Sequence, residues 1–194
     1  MGKLNLQWLL TIILLILIGC TSSITYIKVD QDYEVYKMSR SHALEGGEFN
    51  LKLFLIPQAI RHSNGKIYYT LTIKEEAFEE YFFDIRSDRG LSLVVDDVKY
   101  VFKDESPSFH EMSILNMNRG IITPKSRHQT NNGPFIEQAS YAVTLEIIEK
   151  IAHANKVDVI IFGCDNRFEE KHFVPIHFSR FREFVTYARI NFEI

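Results

Sequence analysis

Two histidines near the end of the chain have types and a spacing that could carry chemistry. His172 and His177 flank a short stretch that contains Pro175. Imidazole nitrogens ligate zinc and act as general bases near neutral pH. In an extended strand a spacing of five puts the two rings on opposite faces, so joint ligation of a metal would require the chain to bend at Pro175. The spacing therefore does not favour a metal site, and the isolated His153 is expected on the polar side of a helix.

Clustered carboxylates form a second candidate for chemistry, because hard cations such as Ca²⁺ prefer oxygen ligands. The glutamates concerned are Glu75, Glu76, Glu79 and Glu80. The EF-hand spacing of oxygen ligands and glycine is missing, and a run of like charge is usually a solvated face. We therefore expect a short helical turn here and no metal.

A basic group lies in the irregular stretch 103–136, which is long enough to be a binding loop. It consists of Arg119, Lys125, Arg127 and His128. The whole chain has 22 Lys plus Arg against 25 Asp plus Glu, a net charge of −3, and no aromatic platform interleaves the basic residues. This balance argues against a nucleic-acid partner, and whether the basic group binds a smaller anion is left open.

Few other residues in the sequence suggest a catalytic or binding role. Cys164 follows an apolar stretch and precedes Asp165-Asn166, which predicts a small buried thiol where a strand meets a turn. Its role stays open, because reactive cysteines need an electropositive neighbourhood. The sequence contains no phosphate-binding glycine loop and no HExxH, CxxC or GxSxG motif. We therefore expect no cofactor and name no catalytic residue, although a site assembled from distant residues stays open.

The first twenty residues determine where the rest of the chain is expected to be located. Lys3 precedes an apolar run from Trp8 to Ile18, and the run ends in small residues before Cys20. A positive start, an apolar centre and small closing residues are typical of a secretory signal peptide. The domain that follows is therefore expected outside the cytoplasm.

The segment Leu17-Ile18-Gly19-Cys20 resembles the lipobox of bacterial lipoprotein precursors. The resemblance implies that residues 1–19 are a signal peptide, and that Cys20 becomes the first mature residue and carries acyl groups such as palmitate. Two or more acyl chains hold a protein stably on a bilayer. In the alternative, the signal stays uncleaved as a short membrane helix, because Leu4 and Leu6 extend the apolar segment toward the roughly 17 residues that a span needs.

The position after the cysteine is Thr21 rather than aspartate. In lipoproteins of enteric-type bacteria this position influences sorting, so the resemblance implies the periplasmic face of the outer membrane in a Gram-negative cell. In a Gram-positive cell it implies the outer face of the cytoplasmic membrane. Either way the chain is expected in the cell envelope, attached to a membrane through its N-terminal acyl groups.

Residues 20–32 are expected to form the lipidated cysteine and a tether, and residues 33–194 a single globular domain. Alternating apolar residues predict strands at 33–37 and 49–60, the second with an edge or a bulge at Pro57. Turn residues predict hairpins at Asn64-Gly65 and Asp96-Asp97.

The last third of the chain has the clearest pattern. A strand should lead into a helix that begins after the N-cap Thr144 and closes at a left-handed Asn155, followed by strands at 156–163 and 167–174. From Ile176, apolar residues at helical spacing predict a closing helix that packs on the sheet. The fold class is therefore α+β, with a mainly antiparallel sheet of about five to eight strands and two late helices.

Residues 91–190 also resemble a group of small exported bacterial domains that are often lipoproteins. The pattern includes Val94-Val95-Asp96-Asp97, a run from Glu137 to Glu146, Lys150 to Ala154 and a closing Phe-Arg-Glu-Phe-Val at 181–185. Asp97 stands where the group tends to have glycine, which leaves the turn type open. The resemblance implies a fold and an exported location and brings no catalytic residue.

Three functions of different class follow from these patterns. The favoured one is a membrane-anchored, non-enzymatic envelope protein or a module that binds an envelope protein, which predicts an exposed apolar patch or sheet edge. The second is a module for a small or lipidic ligand, which predicts a sizeable apolar pocket. The third is an enzyme, which the absence of local motifs disfavours. The sequence does not indicate an oligomeric state.

Overall fold

The computed structural model describes residues 24–28, 33–39, 41–47, 52–77, 91–102, 125–129, 135–162 and 168–192. The expectations on Cys20, Arg119 and Cys164 lie outside these residues. The same holds for Glu79 and Glu80 in the acidic stretch.

Ten strands and two helices make up the described parts of the chain. In chain order they are β1 (Ile24–Lys28), β2 (Tyr33–Met38), β3 (Lys52–His62), β4 (Ile67–Ala77), β5 (Leu91–Val95), β6 (Val98–Phe102), β7 (Lys125–Gln129), β8 (Phe135–Val143), α1 (Leu145–His153), β9 (Val157–Phe162), β10 (Phe168–His172) and α2 (Pro175–Phe192).

The strands form two antiparallel sheets. Sheet A has six strands in the order β1-β2-β3-β4-β8-β7, and sheet B has four in the order β10-β9-β5-β6. This architecture confirms the α+β class with two late helices. The sequence predicted one sheet, whereas β4 pairs with β8 and β5 pairs with β9, so the strands divide between two sheets.

One hydrophobic core joins both sheets and both helices into a single domain. Its fully buried members include Ile73 of sheet A, Leu93 of sheet B, Ile148 of α1 and Phe184 of α2. Each layer thus contributes side chains to the same main cluster. A smaller second cluster of Tyr33, Val35 and Ile60 lies on the opposite face of sheet A.

The two predicted hairpins are confirmed, and each turn uses positive backbone φ angles. Gly65 has φ +87°, and the Asn64 side chain accepts a hydrogen bond from the Lys66 N–H at 2.9 Å. Asp96 and Asp97 have φ +44° and +68°, which is the pattern of a type I′ turn. The Asp96 carboxylate accepts hydrogen bonds from the N–H groups of residues 155 and 156, so a contact from outside the turn supports it.

Helix α1 begins as predicted and ends differently. The Thr144 hydroxyl accepts a hydrogen bond from the Ile147 N–H, which caps the first turn. The helix stops at His153, and Ala154 continues in an extended conformation, so a left-handed Asn155 cap was a wrong prediction. The reason is the Asp96 carboxylate, because it binds the Asn155 N–H and holds the chain extended toward β9.

Helix α2 begins at Pro175, where the missing N–H costs no intrahelical hydrogen bond. Phe181, Val185 and Ala188 form the predicted buried stripe together with Phe184. The helix also packs on α1, where the Arg182 guanidinium donates to the Ala152 carbonyl at 3.2 Å.

Three local expectations differ from the structure. Sheet A begins at Ile24, inside the stretch 20–32 that was expected to be a tether. Glu75 and Glu76 belong to β4 and not to a helical turn, because β4 stays paired with β8 as far as Ala77. Pro57 lies in the middle of β3, and the register with β2 ends at the neighbouring Gln58, so the proline stands where the second partner strand stops.

Candidate functional site

Residues 41–47, which we call the strap, cross from sheet A to the edge of sheet B. Leu44 is buried in the core, and its N–H donates to the Leu53 carbonyl of β3 at 2.7 Å. The two ends of the strap are held by titratable side chains of α2 and β10. These buried titratable side chains are the strongest candidates for functional residues in the described chain.

His177 holds the first end of the strap. It lies in the first turn of α2 with only 5% of its surface exposed. The Val174 N–H donates to its Nδ1 at 2.9 Å, so Nδ1 is the acceptor and the proton belongs on Nε2. Nε2 lies 3.3 Å from the His42 carbonyl oxygen and 3.2 Å from that of Ala43, to which it donates. The imidazole is therefore bound in its neutral form.

His172 and His177 do not share a strand, because α2 begins between them at Pro175. His172 ends β10 and is exposed, whereas His177 is buried. The imidazole ring of His42 lies 6.5 Å from that of His177, and the Phe173 ring lies 5.1 Å from it. Among the described residues there is no group of three His, Cys, Asp or Glu side chains that could hold a metal ion. His153 is exposed, as the sequence predicted.

Burial lowers the pKa of His177, and the hydrogen bonds from Nε2 to the His42 and Ala43 carbonyls offset part of that shift. Two charged or titratable groups face the ring: His42 of the strap, whose charge lowers the pKa further, and Arg180, which lines the same pocket one turn along α2. A second proton would also have to replace the hydrogen bond from Val174 at Nδ1. Protonation of the buried His177 ring is therefore disfavoured in the folded chain.

Because the unfolded chain binds a proton at His177 more readily than the folded one, the free energy of unfolding should fall as the pH drops below about 6.5. The contribution is fully present above that pH, and it declines by up to about 1.4 kcal/mol per pH unit until the folded pKa is reached. Urea unfolding at pH 7.5 and 5.5 should show a smaller difference for His177→Asn than for the wild type. His153→Asn serves as the matched exposed control. Equal pH dependence in all three proteins would refute this role of His177.

A small pocket lies beside His177, between the strap, sheet A and α2. Its lining residues are Met38, Ser41, His42, Leu55, Ile56, Pro57, His177, Arg180 and Phe181. The space holds about one water molecule. Binding sites for small molecules are typically about 300–1,000 Å³ in volume. This pocket therefore does not supply the apolar ligand site that the second functional hypothesis requires.

The second end of the strap closes on a buried ion pair. Lys171 and Glu169 point inward from the edge strand β10, with 4% and 1% of their surfaces exposed and Nζ 2.9 Å from Oε1. Lys171 Nζ also donates to the Gly46 carbonyl at 2.5 Å, while Glu45 and His172 exchange two backbone hydrogen bonds. Charged residues that point inward from an edge strand discourage the addition of a foreign strand.

Gly47 is required where the strap passes over this ion pair. Its φ is +88°, and a Cβ atom at this position would lie 2.0 Å from Glu169 Oε1. The adjacent Gly46 has φ +85°, and a Cβ atom there would lie 2.7 Å from the His172 ring. The Gly-Gly pair in the sequence was the available signal for the strap, and it does not by itself identify what the backbone approaches.

Two further carboxylates lie inside sheet A. Glu75 of β4 and Glu137 of β8 are register partners, and both are fully buried on the face that also carries Ile73 and Ala139. Strand β8 pairs with β7 on its other side, where Arg127 is the register partner of Glu137. The stretch around Lys125, Arg127 and His128, expected to be a loop, is thus a strand at the edge of sheet A.

The outer face of sheet B, which points away from the core, carries exposed apolar side chains. Phe168 of β10 is 57% exposed and Val101 of β6 is 47% exposed. Val94, Ile160 and Phe162 share this face and are partly exposed. The exposed charges Lys99 and Glu170 lie on opposite edge strands of the same face.

Comparisons of the chain with family models, curated proteins and solved structures found no match. The likeness of residues 91–190 to small exported bacterial domains therefore rests on the residues that carry it. Within the described residues, neither helix is long and apolar enough to cross a membrane.

Proposed function

We propose that this chain is a bacterial lipoprotein, anchored in the cell envelope through an acylated Cys20, whose α+β domain binds another envelope protein. The anchor is supported by the apolar run from Trp8 to Ile18 and by the lipobox-like residues that end in Cys20. With Thr21 after the cysteine, the location is the periplasmic face of the outer membrane in a Gram-negative cell, and otherwise the outer face of the cytoplasmic membrane.

The observation that carries the binding role is the exposure of Phe168 and Val101 on the outer face of sheet B. Aromatic side chains are enriched in the centres of protein interfaces. Phe168 and Val101 lie on the two edge strands of this face, and Ile160 and Phe162 of β9 lie between them. Lys99 and Glu170 lie at opposite edges of this face. The partner is therefore a protein that presents an apolar surface between an acidic group opposite Lys99 and a basic group opposite Glu170.

A partner could bind sheet B by packing on its outer face or by adding a strand at its β10 edge. The contacts at the β10 edge favour packing on the face. The inward charges Glu169 and Lys171 occupy that edge, and Glu45 of the strap already forms backbone hydrogen bonds with His172. A partner strand would have to displace the strap. An apolar surface laid across the face displaces none of these contacts.

Photo-crosslinking in living cells tests the binding role. A benzophenone amino acid at Val101 should form an adduct with a specific envelope protein, and Phe168→Glu should lower the adduct yield by roughly tenfold or more, as expected for loss of an interface anchor. Ile176→Glu, which alters an exposed apolar residue on α2, is the matched control and should leave the yield unchanged. Adduct yields that are equal with and without Phe168→Glu would refute this interface.

A further inference from the structure

The chain between the proposed anchor and the folded sheet is unusually short. Strand β1 pairs with β2 along its whole length, from Ile24 opposite Met38 to Lys28 opposite Glu34, and Ile24 packs against the core. Only residues 21–23 separate Cys20 from this strand. An extended chain covers at most about 3.6 Å per residue, so the Cα atoms of Cys20 and Ile24 are at most about 14 Å apart.

This distance fixes the position of β1 once Cys20 is acylated. The acyl chains lie in the hydrocarbon region, and the headgroup layer is only about 5–8 Å thick on each side of a bilayer. A strand that begins within about 14 Å of Cys20 therefore lies at the lipid surface. A long tether, which would let the domain move freely away from the membrane, does not fit this strand.

The side chains of β1 have the chemistry of a membrane interface. Tyr26 is 49% exposed and Ile27 is 40% exposed, on the two faces of this edge strand. The Tyr26 hydroxyl donates to Glu34 Oε1 at 3.1 Å, and its ring lies 5.2 Å from that of Tyr36. Tyrosine combines an apolar ring with a polar tip and is enriched at the headgroup level of membranes.

The end of α2 adds to the same side of the molecule. The Tyr187 and Phe192 rings of α2 lie 5.9 Å and 5.0 Å from the Tyr36 ring of β2. Ile190, one helical turn after Tyr187, is 64% exposed. The Tyr26 ring of β1 and the Tyr187 and Phe192 rings of α2 therefore form one aromatic cluster around Tyr36.

We infer that the β1 edge, with Tyr26 and Ile27, is a second membrane contact that lays the domain against the lipid surface beside its anchor. The inference rests on the proposed lipidation of Cys20. We assign this edge to the bilayer and not to a soluble protein. The short chain from Cys20 to Ile24 keeps the edge next to the lipid. This contact restrains the orientation of the domain relative to the membrane. An acyl anchor alone would not restrain that orientation.

Tryptophan fluorescence offers a direct test, because Trp8 is the only tryptophan and is lost with the signal peptide. The full chain, processed in bacteria and extracted from membranes, would carry Ile27→Trp as its single reporter. Reconstituted in vesicles of phosphatidylcholine, its emission should be roughly twofold lower when the acyl chains are brominated, as expected for a residue within the headgroup and acyl boundary. Tyr26→Trp provides a second reporter, and Val101→Trp on sheet B is the control that should keep its emission.

A flexible insert separates the contact from the anchor. About ten Gly and Ser residues placed between Ser23 and Ile24 should restore most of the emission, because such a linker adds roughly 20 Å of mean reach. The intact mass of each protein shows whether Cys20 is acylated. Acylated protein whose Ile27→Trp and Tyr26→Trp emissions match that of Val101→Trp would overturn the lipid contact and leave the anchor standing. Absence of acylation would overturn the proposed function and this inference together.

Discussion

Replacing Lys171 by methionine is expected to lower the free energy of unfolding by about 3–5 kcal/mol. The substitution leaves the Glu169 carboxylate, only 1% exposed, without the ammonium group that lies 2.9 Å from it. It also removes the hydrogen bond to the Gly46 carbonyl that ties the strap to β10. The cost arises mainly from desolvation of the Glu169 charge, which the ion pair with Lys171 no longer offsets.

Two further variants separate this explanation from a general sensitivity of the fold. Glu169→Leu combined with Lys171→Met removes both charges and should recover most of the lost stability. Lys150→Met breaks a pair of the same length, 2.9 Å from Glu146, in which the lysine and glutamate side chains are 49% and 71% exposed, and should cost about 0–1 kcal/mol. Urea unfolding monitored by circular dichroism gives all three values. A double variant as unstable as Lys171→Met alone would show that packing, and not charge, is the cause.

The elements that the sequence predicted well are those fixed by contacts between near neighbours. Gly65, Asp96 and Asp97 supply the positive φ angles of their turns, and Thr144 caps α1 through the Ile147 N–H. The apolar stripe of α2 follows from its own spacing. Each of these interactions closes within a few residues, so the local sequence contains the information.

The elements that the sequence predicted poorly depend on residues far apart in the chain. The sequence around Glu75 predicts a solvated acidic stretch. In the sheet, however, Glu75 is the register partner of Glu137, and both side chains are buried. The division of the strands into two sheets is decided by the pairing of β4 with β8 and of β5 with β9. No local pattern distinguishes these pairings from a single sheet.

The same distinction applies to the candidate sites. The lipobox-like segment ending in Cys20 is contiguous and visible in the sequence. The strap is not, because His177 binds a carbonyl 135 residues away and Lys171 binds one 125 residues away. Buried charged groups of this kind are found only once the topology is known. The exposure of Phe168 is equally invisible, since an aromatic residue in a strand is more often buried.

The proposals give the domain two working surfaces. The β1 edge with Tyr26 and Ile27 lies against lipid beside the anchor, and the outer face of sheet B with Phe168 binds the protein partner. A domain restrained at a membrane presents its partner surface in a limited range of orientations, which raises the effective concentration for a partner in the same membrane. Both roles depend on the anchor at Cys20.

Substituting Cys20 by serine is the second change with a large expected effect. Serine cannot carry the thioether and prevents processing as a lipoprotein, so the chain should lose its acyl groups completely. Cys164→Ser is the matched control, because it removes the other cysteine and leaves the lipobox-like segment intact. If the signal is instead an uncleaved helix, neither the wild type nor either variant carries acyl groups, and all three keep Met1.

Incorporation of a clickable palmitate in growing bacteria, read on a gel together with the intact mass, is the most direct measurement of the anchor. The account predicts label on the wild type and on Cys164→Ser, no label on Cys20→Ser, and a mature wild-type chain that begins at an acylated Cys20. Label that persists on Cys20→Ser, or an unlabelled wild-type chain that retains Met1, would contradict it.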